Sequence, residues 1–314
     1  MHARRLGGLS LILLVCAALY MTLGARGGWD FILPFRGAKL AALILVAVAV
    51  ATATVLFQTI TYNQILTPSI MGFDALYILV LTLAVYVLGG QTVARLPQMS
   101  QFLLTSTLLL GASLLLFGTL LAQRRQDLMR MILTGVIFGV LFRSLTSFLQ
   151  RMIDPNEYSV IQVSSYARFS RMETELLGIA ALLTIAALAA TWAMRHRLDV
   201  LALGREAAIN LGEHPKRGML QALVVISVLV SVSTALVGPV AFLGLLVVSL
   251  ARLITPTARH AVLLPSAALV SAITLVGGQT LLERVFALST PLSVIVDLVG
   301  GAVFLILLLR GSGR

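Results

Sequence analysis

The chain has 314 residues, of which 59% are hydrophobic and 11% charged, with 23 Lys and Arg against 12 Asp and Glu. An ordinary soluble domain carries about a quarter charged residues, so a mean hydropathy of +1.01 excludes that class and points to an all-α, polytopic membrane protein. The net charge of +11 is no sign of nucleic-acid binding, because in so apolar a chain the cations belong to loops, where they set orientation.

A helix needs roughly 20 mostly apolar residues to cross the hydrocarbon layer with its backbone paired internally. By that measure about ten spans run near residues 7–24, 40–60, 70–88, 102–121, 128–150, 175–194, 218–237, 239–253, 262–281 and 291–309, in one transmembrane domain over 1–314. The first follows Arg4 and Arg5 and contains Cys16, the outline of a secretory signal or lipoprotein leader. Its length and the similar runs after it favour a first transmembrane helix. A single Cys excludes an internal disulfide.

At the start of the second span Arg36 and Lys39 lie three apart and share one helix face. Cations snorkelling from a helix end are the plain alternative. The third span carries Asp74, and the fifth carries Arg143 beside Ser144, Thr146 and Ser147. A cation facing lipid at that depth costs about 2.5 kcal/mol or more, so Arg143 must face protein or water. Two readings stand. One is an ion pair with Asp74 or with Asp297 of the tenth span, which is preferred. The other is a pathway-lining cation with Ser144 and Ser147 on the same wall. From Arg151 to Glu175 runs the longest polar stretch, expected as a gate, a short helix or a simple connector.

After the sixth span comes a polar loop over about 203–217, reading Leu203, Gly204, Arg205, Glu206, Ala207, Ala208, Ile209, Asn210, Leu211, Gly212, Glu213. A short helix from Glu206 to Leu211 is expected, closed by Gly212 in the left-handed conformation. Small Ala207 and Ala208 permit close approach by another surface, though an ordinary connector has similar composition. Gly238-Pro239 makes the eighth span the weakest. Arg284 stands shortly before the tenth. Pairs such as Gly89-Gly90, Gly277-Gly278 and Gly300-Gly301 suit close packing or helix breaks. With the amino terminus in the cytoplasm most basic residues fall inside, an even span count puts both termini inside, and the loop at 203–217 is cytoplasmic.

Several of these segments carry a resemblance. Phe35 to Ala42, Gly238 to Val247 with Ala251-Arg252-Leu253, Pro291 to Phe304, and the loop with Gly204, Glu206, Ala207, Leu211 and Gly212 together resemble the FecCD-like permeases of iron-siderophore and cobalamin ABC importers. Val248-Ser249 and Pro68 to Asp74 depart from the common pattern and, with the stretch Phe57 to Asn63, look like the subgroup serving catechol-type siderophores. The resemblance implies a type II ABC importer permease in the bacterial inner membrane, moving a ferric siderophore inward. Its coupling residues would be Gly204, Glu206, Ala207, Ala208, Leu211 and Gly212, and its binding-protein docking residues Arg36, Lys39 and Arg284. Implied partners are ABC ATPase subunits, an external binding protein, a second permease chain (a paralogue favoured over an identical copy) and membrane lipid. ATP would be used by the ATPase, with no cofactor on this chain, which has no Gly-x-x-x-x-Gly-Lys-Ser/Thr phosphate loop. A cobalamin or heme permease of the same mechanism is the alternative. An ion-coupled secondary transporter is a further one, resting on Asp74 and Asp297. Neither a His-Glu-x-x-His metal motif nor a His at membrane depth supports an enzyme.

Overall fold

The computed structural model describes residues 2–25, 28–121, 128–164, 174–285 and 292–311. Every backbone polar group in lipid needs an internal partner, and the described residues meet this with helices alone. In chain order these are α1 (His2–Thr22), α2 (Trp29–Thr61), a π-helical turn (Ser69–Phe73), α3 (Asp74–Leu88), α4 (Gly90–Arg95), α5 (Gln98–Leu121), α6 (Leu128–Gln150) and α7 (Pro155–Ser164). They continue with α8 (Thr174–Ala193), α9 (Arg195–Leu201), α10 (Arg205–Asn210), α11 (Pro215–Val237), α12 (Leu243–Ile254), α13 (His260–Thr280), a second π-helical turn (Leu281–Val285) and α14 (Leu292–Gly311).

Each of the ten expected spans contains a helix, and eight described helices are both long and apolar enough to cross a bilayer. The eighth expected span differs. Its helix, α12, has 12 residues, which at 1.5 Å each reach only about 18 Å, roughly half of a crossing. Gly238, at φ 98°, ends α11, and the next four residues are not helical. Asp297 of α14 compensates for the break, accepting a hydrogen bond from the Phe242 N–H at 3.0 Å.

The packing centre is α2, flanked by α11 and α13. Ala42, Ala47, Ala51 and Ala53 of α2 are fully buried, and such small residues let helix backbones approach where lipid offers no hydrophobic drive. The same logic sets α3 against α6: a Cβ on Gly72 would lie 3.0 Å from the Gly139 Cα. Gly72 also has φ 98°, and the chain kinks there between the π-helical turn and α3.

One end of the bundle gathers the start of α1, the ends of α2 and α12, the start of α13, and α9 with α10. Arg5 Nη1 donates to the Ile254 carbonyl at 2.8 Å, and His260 meets Asp199 of α9. The opposite end holds the α1 to α2 turn, α4 and α7. There a Cβ on Gly90 would meet the Glu157 Cβ at 2.8 Å, which seats α7 on α4. Thus the polar stretch after Arg151 supplies a short helix, while Arg168, Arg171 and Glu173 lie outside the described residues.

Candidate functional site

The loop at 203–217 folds into a compact knob. Gly204 at φ 100° and Gly212 at φ 80° bracket α10, conformations that a Cβ would oppose. The helix closes with a paired C-terminal motif: the Gly212 N–H donates to the Ile209 carbonyl at 2.9 Å and the Glu213 N–H to the Ala208 carbonyl at 2.9 Å, the Schellman arrangement. Ala208 is buried and Ala207 half-buried, while Glu206 is exposed. Leu203, Ile209 and Leu211 are 63%, 52% and 62% exposed. Three large apolar side chains thus stand exposed on this polar loop.

Polar contacts brace the knob. Arg197 of α9 grips Glu213 through Nη2 at 2.7 Å and Nε at 3.1 Å, and its Nη1 donates to Gln221 of α11 at 3.0 Å. The hydrogen bonds from Arg197 hold the Glu213 carboxyl below its ordinary pKa, and Glu213 in turn raises that of Arg197. At the end of α2, Tyr62 adopts φ 51°. Burial pushes its phenol pKa up, against the opposing charge of Arg205, so α2 ends close to the start of α10.

Sequence reasoning missed a trio under the knob, buried at His260 and Thr59 and half-buried at Asp199. One oxygen of Asp199 accepts both the backbone N–H of His260 and its ring Nδ1–H, each at 2.7 Å. The Thr59 hydroxyl lies 2.7 Å from His260 Nε2. His260 is 2% exposed. Beside it Arg252 Nη2 donates to Gln58 Oε1 at 3.1 Å. The only sequence signal was a lone His opening an apolar helix and an Asp in a basic stretch 61 positions before it.

At the opposite end the three expected docking cations converge, but Arg36 is not a free one. Its guanidinium is buried and donates to the carbonyls of Tyr20, Met21, Leu23 and Gly24 at 2.8 to 3.2 Å. These are groups that the end of α1 leaves without helical partners, so Arg36 acts as an internal cap. Arg284 lies within van der Waals reach of Gly24, and its Nη2 stands 3.8 Å from Glu283. Lys39 Nζ sits 4.9 Å from the centre of the exposed Phe35 ring.

Arg143, Ser144 and Ser147 are all exposed on α6. The Arg143 guanidinium folds back along its own helix, 3.4 Å from the position a Gly139 Cβ would take. The expected ion pair is absent among the described residues, for an identifiable reason. Asp297 is held by the backbone before α12, and Asp74 bonds to Ser69 and interacts with Arg143 only through its field. A cavity of about 480 Å³ lined by Tyr77, Gln98, Gln101, Phe102 and Thr105 lies elsewhere, between α3, α5 and α11.

A profile described as the FecCD transport family matches residues 11–310. The petrobactin import system permease protein YclO of Bacillus subtilis (strain 168) is 42% identical over 297 residues, covering 95% of this chain and 94% of that protein. The corresponding permease FatC of Bacillus anthracis is 31% identical, covering 88% and 78%. Among solved structures, one described as a metal-chelate type ABC transporter in an inward-facing conformation superposes with a TM-score of 0.81 at 23% identity, covering 99% of this chain and 100% of that one. At that identity the likeness speaks for the fold, while the profile and the relatives speak for descent: the chain belongs to the FecCD transport family.

Proposed function

We propose that this transport subunit is one of two permease chains in an ABC importer carrying a ferric, catechol-type siderophore of the petrobactin kind inward across the cytoplasmic membrane. The reading rests on the likeness, over nearly the whole chain, to permeases named for petrobactin import. Both termini and α10 face the cytoplasm in this reading. Separate ATPase subunits then receive Leu203, Ile209 and Leu211 in a surface cleft, with Gly204, Glu206, Ala207, Ala208 and Gly212 shaping the knob. ATP is bound and hydrolysed there, with no cofactor on this chain.

The exposed face of α6 supports a second permease chain, a paralogue of this one. A cation at membrane depth needs protein or water around it, and Arg143 is left exposed among the described residues. Two such faces enclosing a pathway would place Arg143, Ser144 and Ser147 along it, where a guanidinium suits an anionic ferric chelate. Lipid covers the remaining apolar faces. At the outer end Lys39 and Arg284 meet acidic groups of a binding protein, while Arg36 holds the surface they stand on.

The test is uptake of ferric petrobactin into proteoliposomes containing the chain, its paralogue, their ATPase and their binding protein. ATP-dependent accumulation is expected. Accumulation of heme or cobalamin but not ferric petrobactin would overturn the substrate assignment and leave the ABC mechanism standing.

A further inference from the structure

We propose that Asp199, His260 and Thr59 form a positioning link that carries movement of the α9 and α10 knob into the transmembrane core. The proposal rests on the reading above that α10 receives the ATPase. Three residues (202–204) separate α9 from α10, and α9 also packs on α2, α11 and α13. An apolar contact between these helices would let α9 slide with little loss. The trio resists sliding, because hydrogen bonds weaken steeply with small changes in distance and angle. One Asp199 oxygen accepts two N–H groups of His260, each at 2.7 Å. It is therefore bound to both the backbone and the ring at the start of α13.

The ring then reaches a third helix through Thr59 of α2, at 2.7 Å from Nε2. The preceding residue of α2, Gln58, accepts a hydrogen bond from Arg252, on the short half-helix α12. Hydrogen bonds thus tie α9 to α13 and α13 to α2, and a separate one ties the adjacent residue of α2 to α12. The Asp199 side chain keeps 30% exposure, but His260 is 2% exposed, so displacing α9 must drag its partners or leave the buried imidazole unpaired. Movement passed along this link would connect docking of the binding protein at one end with hydrolysis at the other.

The test uses the complete complex in proteoliposomes and compares basal ATP hydrolysis with hydrolysis stimulated by its binding protein. Asp199→Ala and His260→Ala should keep the ATPase attached and basal hydrolysis intact, while stimulation falls by about tenfold, within the usual range of coupling energies. Asp199→Asn retains an acceptor for the His260 N–H groups and should retain most of the stimulation. The Asp199→Ala, His260→Ala double variant should be no worse than either single one. Gly212→Val in the α10 knob serves as the reference. If Gly212→Val abolishes stimulation and Asp199→Ala does not, the link is wrong while the role of α10 stands. If Gly212→Val has no effect, the role of α10 itself fails. Should the alanine variants not assemble, Asp199→Asn and His260→Gln decide. A loss of stimulation that only follows the loss of assembled complex makes the trio structural and overturns the proposal.

Discussion

The guanidinium of Arg36 meets a problem created by the preceding helix, since α1 ends with carbonyls that have no partner of their own and α2 runs back past them. Stranding those buried acceptors costs on the order of 1 to 3 kcal/mol. Arg36→Ala is therefore expected to lower the melting temperature of the detergent-solubilised complex. Arg36→Lys should recover only part of it, because an ammonium lacks the planar fork that spans several carbonyls. Reversing Lys39 should instead leave melting unchanged, weaken binding-protein affinity, and reduce its salt dependence, measured by titration at about 0.05 and 0.5 M salt. The sequence showed Arg36 and Lys39 as equals at the start of one helix. It could not show that Tyr20 to Gly24 would turn back onto the first and not the second. Gly244 gives a second test at this scale: a Cβ there would collide with the Thr54 side chain. Gly244→Ala should destabilise the complex, with Thr54→Ala relieving part of the loss.

At the scale of elements, α10 was legible because its determinants are local. Its bracketing glycines, its small alanines and its polar setting all stand within ten consecutive residues. The trio of Thr59, Asp199 and His260 was not, because three helices distant in sequence must pack before their polar groups meet. The bracing of α10 by Arg197 and Glu213 predicts a pH response with a definite sign. Glu213 has its pKa lowered by Arg197, so the brace contributes fully above the ordinary carboxylate range and is lost as pH falls through the lowered folded value. ATPase attachment, followed by co-purification, should be flat from about pH 6 to 8 and weaken only in acid. Since the Arg197 side chain is 41% exposed, the effect is small and screened by salt. Glu213→Gln should reproduce the acid behaviour at neutral pH.

For the whole molecule, hydropathy alone exposed the ten helical segments, since the bilayer constrains length and composition so tightly. What it could not expose is which faces stay open, because lipid and a neighbouring permease both accept leucines. Arg143 on an open face is what distinguishes α6. Arg143→Gln should give a complex that assembles normally yet accumulates chelate more slowly, and adding Asp74→Asn should not restore the rate. Normal uptake by Arg143→Gln would remove Arg143 from the pathway. The broken eighth crossing bears on how the chain is made. A ribosome delivers α12 well before Asp297, which comes 55 residues after the Phe242 amide it caps, and a 12-residue helix is too short to be released into lipid by itself. The break before α12 therefore stays uncapped by Asp297 until α14 has been made, so α14 completes a segment laid down long before it.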